Sequence, residues 1–201
     1  MIVLMRHAHT DGGSGRCIGR TEVPLSAQGV QQAVEASAVL RECGFLRLCT
    51  SPATRAIRTI EPLAAELGVQ AEIVPELNEI DMGAWDGQTF DAIRTQYPAE
   101  YVRRGENFSD FKPPRGESFN DVADRAMPIL NRLASGPQRV LAVTHAGVIR
   151  SVLCRITGHT MDDPFHYSPG YAQCTVFTAV NGGVELIQTT VDVSSLPSFL
   201  V

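Results

Sequence analysis

An arginine–histidine pair, Arg6-His7, follows the apolar run IVLM, and Thr10 stands three residues beyond it. The pair puts a permanent cation beside a titratable nitrogen at the end of a buried strand. A second histidine, His145, follows another apolar run in VLAVTHAG. Ser51 and Arg55 follow a third such run, and Glu79 comes after a fourth. In an open parallel sheet, ligands gather at the carboxyl ends of the strands. Four separate segments therefore bring polar side chains to one edge. Two imidazoles among arginines suit chemistry on an anion, phosphate above all. A phosphoryl group spreads charge over three oxygens and needs fixed donors around them. Arg6 and Arg55 offer bidentate forks of that geometry, and the amides near Gly147, at a helix start, offer more. A neutral imidazole is nucleophilic near pH 7 without a metal. One histidine can attack phosphorus while the other, protonated, steadies the transferred group. The departing alkoxide needs a proton from a carboxylic acid; Glu79 is the best placed, with Asp81 and Glu76 as competitors.

The elements that must hold these groups alternate between strand and helix patterns, which predicts an α/β fold with a mostly parallel sheet. Strands are expected at Ile2–Met5, Leu46–Cys49, Ala71–Val74 and Arg139–Thr144, with two closing strands at Cys174–Val180 and Val184–Thr190 around Asn181-Gly182-Gly183. Ser26 caps a helix to about Cys43, stopped by Gly44. Ser51-Pro52 reads as N-cap and first residue of a helix closed by Gly68, and Pro62 should bend it. Arg55 then lies in the first turn. There a cation opposes the helix dipole at a cost of roughly 0.3–1 kcal/mol when exposed, which a bound anion would offset. Asp11–Pro24 reads as a loop. Residues 80–117, with a helix near Thr89–Tyr97, read as a cap over one end of the sheet. Ser118 with Asp121 starts a helix running to about Ala134, and Val148–Ile156 is a helix ended by Gly158. The last ten residues show little pattern.

The chain has 201 residues, 44% hydrophobic and 19% charged, with a formal net charge of −5. That size fits one domain, residues 1–201. The acidic balance argues against nucleic acid as a partner, which needs a broad basic footprint. Five cysteines without a C-x-x-C pair suggest free thiols in a reducing compartment. Neither a signal peptide nor an 18-residue apolar run is evident, so a cytoplasmic location away from membranes is expected. No H-x-x-x-H or D-x-D cluster marks a metal site. His9, His159 and His166 read as loop or surface histidines and Arg58 as a surface charge. Trp85 reads as cap packing, and Glu117 as a group that orients an arginine.

Six segments carry a specific resemblance: LMRHAHT, IGRTEVPLSAQG, SPATRAIRT, LNEIDMGAWDG, PRGESFNDVADR and VTHAGVIR. Together, in this order, they resemble the histidine phosphatase superfamily, which includes the cofactor-dependent phosphoglycerate mutases. The resemblance implies a three-layer α/β/α sandwich. It implies His7 as the phosphorylated nucleophile, Arg6, Arg55 and His145 as the phosphate pocket, and Glu79 as proton donor. Thr10, Gly19, Arg20, Ala146 and Gly147 are the implied substrate-binding positions. Ala8 replaces the family's usual Gly. Asp11-Gly12-Gly13 replaces an expected Asn, for which Arg16, Arg20 or His9 could substitute. The compact length is similar to the phosphatase branch, and LNEIDMG and PPRGESF to the α-ribazole phosphatases. The expected activity is hydrolysis of a small phosphorylated metabolite, α-ribazole 5′-phosphate being one candidate, with no metal or cofactor. A mutase and a non-catalytic phosphate-binding module are the alternatives. Oligomeric state is open, a homodimer included. Because Glu79 must start neutral and His7 unprotonated, the rate is expected to be bell-shaped in pH.

Overall fold

A computed structural model describes residues 1–180 and 182–200. One six-stranded sheet forms from β1 (Ile2–Arg6), β2 (Arg47–Thr50), β3 (Glu72–Ile73), β4 (Val140–Thr144), β5 (Cys174–Val180) and β6 (Gly183–Val191). Its spatial order is β3-β2-β4-β1-β5-β6. The pairs β2–β3, β2–β4 and β1–β4 are parallel, and β5 and β6 add antiparallel strands at the β1 edge. The architecture is the expected α/β sandwich with a mixed sheet. Asn181, in the expected closing turn, lies outside the described residues.

Both faces of the sheet are covered, which explains why the central strands read as uninterrupted apolar runs. Ile2, Leu4, Val140 and Ala142 pack on one side against α5 (Phe119–Ala134) and α6 (Ala146–Thr157). Val3, Met5, Leu141 and Val143 pack on the other against α1 (Ala27–Leu40) and α2 (Thr54–Leu67). Alternate residues of one strand thus serve two cores. Residues 193–199, where little pattern was expected, form a 3₁₀ turn that plugs Leu196 into the second core. Ser26 caps α1 by accepting from the Gly29 amide. Ser118 and Asp121 form a reciprocal capping box on α5. Gly68 and Gly158 end α2 and α6 with positive φ, as the sequence predicts.

One helix start differs from expectation. The N-cap of α2 is Ala53, two residues beyond Ser51. The Ser51 hydroxyl is committed instead to His145, 2.6 Å away. The first amide of α2, on Thr54, is met by the Glu22 carboxylate across 3.3 Å. Pro62 sits inside α2 without ending it. The segment expected to act as a cap holds α3 (Phe90–Gln96) and α4 (Pro98–Glu106). They lie beside a small cluster of Cys17, Trp85 and Ile93, flanked by Tyr97, Tyr101 and Phe111. Trp85 is packing, as expected.

Candidate active site

Strands β1, β2 and β4 end nearly level, because Arg6 pairs with Thr144 and Thr50 with Val143. The ladder continues one step further: the His7 amide donates to Thr144 and the Ser51 amide to Val143. The next residue of each strand therefore stands beside the others at the carboxyl edge. They are His7, Ser51 and His145, and the two imidazole centroids lie 5.2 Å apart. Arg55 comes from the first turn of α2. Glu79 reaches the edge through a 3₁₀ turn, Pro75–Leu77, that follows β3. All five groups are buried; Glu79 is 8% exposed, His7 6% and Arg55 2%.

A cavity of about 170 Å³ opens here, lined by Arg6, His7, Thr10, Arg16, Arg55 and Glu79, with Tyr171 on its wall. Each arginine is anchored through backbone carbonyls, which leaves its charge unneutralised. Arg55 donates from Nη1 to Thr21 and from Nη2 to Gly19, at 3.0 and 2.7 Å. Arg6 donates from Nη1 to Pro169 at 2.9 Å, and its guanidinium stacks 3.7 Å above the Tyr171 ring. The buried Arg6 Nε has no partner among the described residues. An unpartnered buried donor is costly in a native fold unless a ligand meets it.

The histidines are in defined states. His7 Nδ1 lies 2.8 Å from the Ala8 carbonyl, which can only accept. That nitrogen therefore carries the proton, and Nε2 keeps the lone pair. Burial, reinforced by the positive Arg55, pushes the His7 pKa from 6.5 down to about 3. Burial and the same arginine hold His145 well below its ordinary value. Beside two arginines the free site thus favours both rings neutral; the expected protonated second imidazole belongs to the site with a phosphoryl group in it. His145 Nε2 is paired with Ser51, while its buried Nδ1 has no partner among the described residues.

Glu79 is held by backbone. Oε1 accepts from its neighbour Ile80 at 2.9 Å, and Oε2 from Gly147 at 3.3 Å, near the N-terminus of α6. Gly147 is therefore turned to the carboxylate; it lines the neighbouring chamber rather than the small cavity, and Ala146, beside it at the start of α6, does not line the small cavity either. A Cβ on Gly147 would run into Glu79 Oε1. Gly19 fills a similar need, since a Cβ there would come within 2.5 Å of the Ile80 carbonyl.

Of the expected substrate-binding positions, Thr10 lines the cavity and Gly19 anchors Arg55 through its carbonyl. Arg20 does not line it: its guanidinium is spent on Asp81 and Glu117, at 3.0 and 3.2 Å. Of the three candidates to replace the family Asn, His9 is tied to Ser26, which leaves Arg16 on the cavity wall. Glu117 orients Arg125, and Arg58 is an exposed partner of Glu61, as expected. Tyr171 was missed; it sits in an irregular loop with no motif around it. His159, Asp163 and His166 also converge, with ligand atoms within 4.8 Å of one another. Their spacing spans the loop after α6 and the 3₁₀ turn Pro164–His166, and escapes the usual sequence patterns. Asp163 and His166 are exposed.

The arrangement can do three things chemically. Nε2 of His7 can donate its electron pair, the arginines can hold a tetrahedral oxyanion, and Glu79 can exchange a proton with an oxygen in the cavity.

The chain is similar to several known proteins. The 6-phosphofructo-2-kinase/fructose-2,6-bisphosphatase 1 of Rattus norvegicus is 32% identical over 164 residues, covering 81% of this chain and 34% of that protein. The chain thus spans about a third of that relative's length. The adenosylcobalamin/alpha-ribazole phosphatase of Escherichia coli is 26% identical over 167 residues, 82% of each chain. Among solved structures, the native mycobacterial glucosyl-3-phosphoglycerate phosphatase matches with a TM-score of 0.83 at 26% identity, over 95% of this chain and 98% of that one. No helix among the described residues is long and apolar enough to cross a membrane. The family description "Histidine phosphatase superfamily (branch 1)" matches residues 2–192, nearly the whole chain, and the chain therefore belongs to the histidine phosphatase superfamily.

Proposed function

We propose that this phosphatase hydrolyses a small phosphomonoester in two steps through a phosphohistidine at His7. Nε2 of His7 attacks phosphorus in line, the P–O bond to the alcohol breaks, and Glu79 gives its proton to the departing oxygen. Water then attacks phosphorus, Glu79 takes its proton, the N–P bond breaks with its electron pair returning to His7 Nε2, and phosphate leaves. Arg6 and Arg55 hold the phosphoryl charge throughout; Arg6 Nε, without a partner among the described residues, is a further donor for its oxygens, and so is His145 Nδ1 when the Ser51 hydroxyl donates to Nε2. We read residues 1–201 as one domain for this purpose, with 80–117 as the cap that meets the leaving group.

The observation that carries the reading is the fixed tautomer of His7. Its Nδ1 is occupied by the Ala8 carbonyl, and burial keeps the ring neutral, so a nucleophilic nitrogen is available without a metal. The two relatives compared over most of both chains bear the names of phosphatases acting on unlike alcohols, which leaves the substrate to be found. α-Ribazole 5′-phosphate heads the screen, followed by sugar phosphates, nucleotides and phosphopeptides. Changing His7 to Ala is expected to abolish phosphate release and covalent phosphate labelling together. Labelling that persists in the variant would overturn the assignment.

A further inference from the structure

A second cavity, of about 220 Å³, adjoins the first and shares Arg16, Ile18 and Glu79 with it. Because Glu79 lines both, an alcohol protonated by Glu79 leaves into this second chamber; the inference rests on that reading of the mechanism. The chamber's walls are mainly apolar. Phe108 stacks on Phe119 at 5.3 Å, and Phe165 meets Phe108 edge-on at 5.5 Å. Two arginines rest on these rings: Arg104 lies 4.3 Å from the Phe108 centroid, and Arg150 lies 4.7 Å from that of Phe165.

Neither arginine forms an ion pair among the described residues, although most exposed arginines here do. Both are half-buried. The one other acid of the chamber, Glu117, is already held by Arg125 and Arg20. Arg150 has one donor, Nε, fixed on the Tyr167 carbonyl at 3.0 Å, which orients the remaining fork. Glu79 lies near enough to favour the Arg150 charge but forms no ion pair with it. In a chain of net charge −5, two desolvated cations without an ion-pair partner among the described residues, beside an aromatic wall, call for an anion from outside.

We propose that the chamber binds the leaving group of the substrate, and that this alcohol has an apolar or planar body bearing a second acid group, which Arg104 and Arg150 hold. Phosphate esters of neutral sugars and nucleosides, α-ribazole 5′-phosphate among them, then fall on the disfavoured side. Carboxylate and phosphate share the required chemistry.

The test compares three esters on the intact protein: 3-carboxyphenyl phosphate, 3-phosphonophenyl phosphate and the neutral 3-carbamoylphenyl phosphate. At least one acidic ester is expected to exceed the neutral one in kcat/KM by roughly tenfold or more. The ratio should fall toward one in Arg104→Gln or Arg150→Gln and be kept in Arg104→Lys. Reading a ratio within each variant removes any general loss of activity. Wild-type ratios near one for both acids, or a preference that neither glutamine variant changes, would overturn the proposal. Phosphate release from all three esters at similar rates would leave the phosphohistidine mechanism standing. No release from any, with no labelling of His7, would instead strike the mechanism itself.

Discussion

The two cavities hold their arginines in opposite ways. In the inner one, Arg6 and Arg55 are fastened to main-chain carbonyls of Pro169, Thr21 and Gly19, beside strands that end level. In the outer one, Arg104 and Arg150 lie on phenyl rings, carried by α4 and by α6. Carbonyl anchors hold a fork in one orientation and suit a single shape, the tetrahedral phosphoryl group. Aromatic platforms tolerate sliding and suit a leaving group that differs from one family member to another. Substitutions in the inner cavity should therefore act on every substrate through kcat, and those in the outer chamber on some substrates through KM.

The sharpest way to break this division is at Gly147. Gly147→Ala drives a methyl group into Glu79 Oε1 and should lower kcat for phenyl phosphate about a hundredfold, the usual worth of a positioned proton donor. p-Nitrophenyl phosphate, whose leaving group needs no proton, should suffer much less. Equal losses on both esters would show that Gly147 serves the fold and not the carboxylate.

A second consequence concerns stability. His7 has a folded pKa of about 3 against an ordinary 6.5, and His145 is depressed too. Below pH 6.5 the unfolded chain binds protons that the folded chain refuses. Stability is thus fully present above that pH and falls as pH drops, for His7 down to about 3. Each depressed histidine contributes a slope of about 1.4 kcal/mol per pH unit within that window. Denaturant unfolding at pH 7.5 and pH 5 should show the loss, smaller in His7→Gln. A midpoint unchanged between the two pH values would contradict neutral buried rings. The histidine limb of the rate profile should likewise lie far below pH 6.5.

Ser51→Ala removes the hydroxyl on His145 Nε2. A buried nitrogen left unpaired costs about 1–3 kcal/mol of stability. The looser ring should lower kcat on the order of tenfold for all esters alike. Smallest of all, Phe165→Ala in the outer chamber should change KM a few-fold, by about 1 kcal/mol or less, and shift preference among esters while kcat holds. A uniform fall in kcat there would erase the contrast between the two cavities.

Much of the inner cavity was legible in the sequence because strand ends are. An apolar run that stops at Arg6-His7, at Ser51 or at His145 announces both the element and the side chain it delivers. Caps were legible where the side chain was free to act, as at Ser26 and Ser118. The start of α2 was misplaced because Ser51 had a stronger partner, a histidine 94 residues away, which no local pattern reveals. Helix α4 escaped because it buries none of its residues and so has no apolar stripe to read. Arg20 carried the right motif but is neutralised by Asp81 and Glu117, a pairing made by tertiary contact. The helix start at Gly147 suggests an amide for phosphate; only the folded chain shows that amide given to Glu79.

The most direct measurement is the identity of the phosphorylated nitrogen. Wild-type protein quenched during turnover of a good ester can be examined by phosphorus NMR and by peptide mass spectrometry. Phosphate on Nε2 of His7 is the expected result, since Nδ1 is held by the Ala8 carbonyl. Phosphate on Nδ1, on His145, or on no histidine while hydrolysis proceeds would contradict the mechanism.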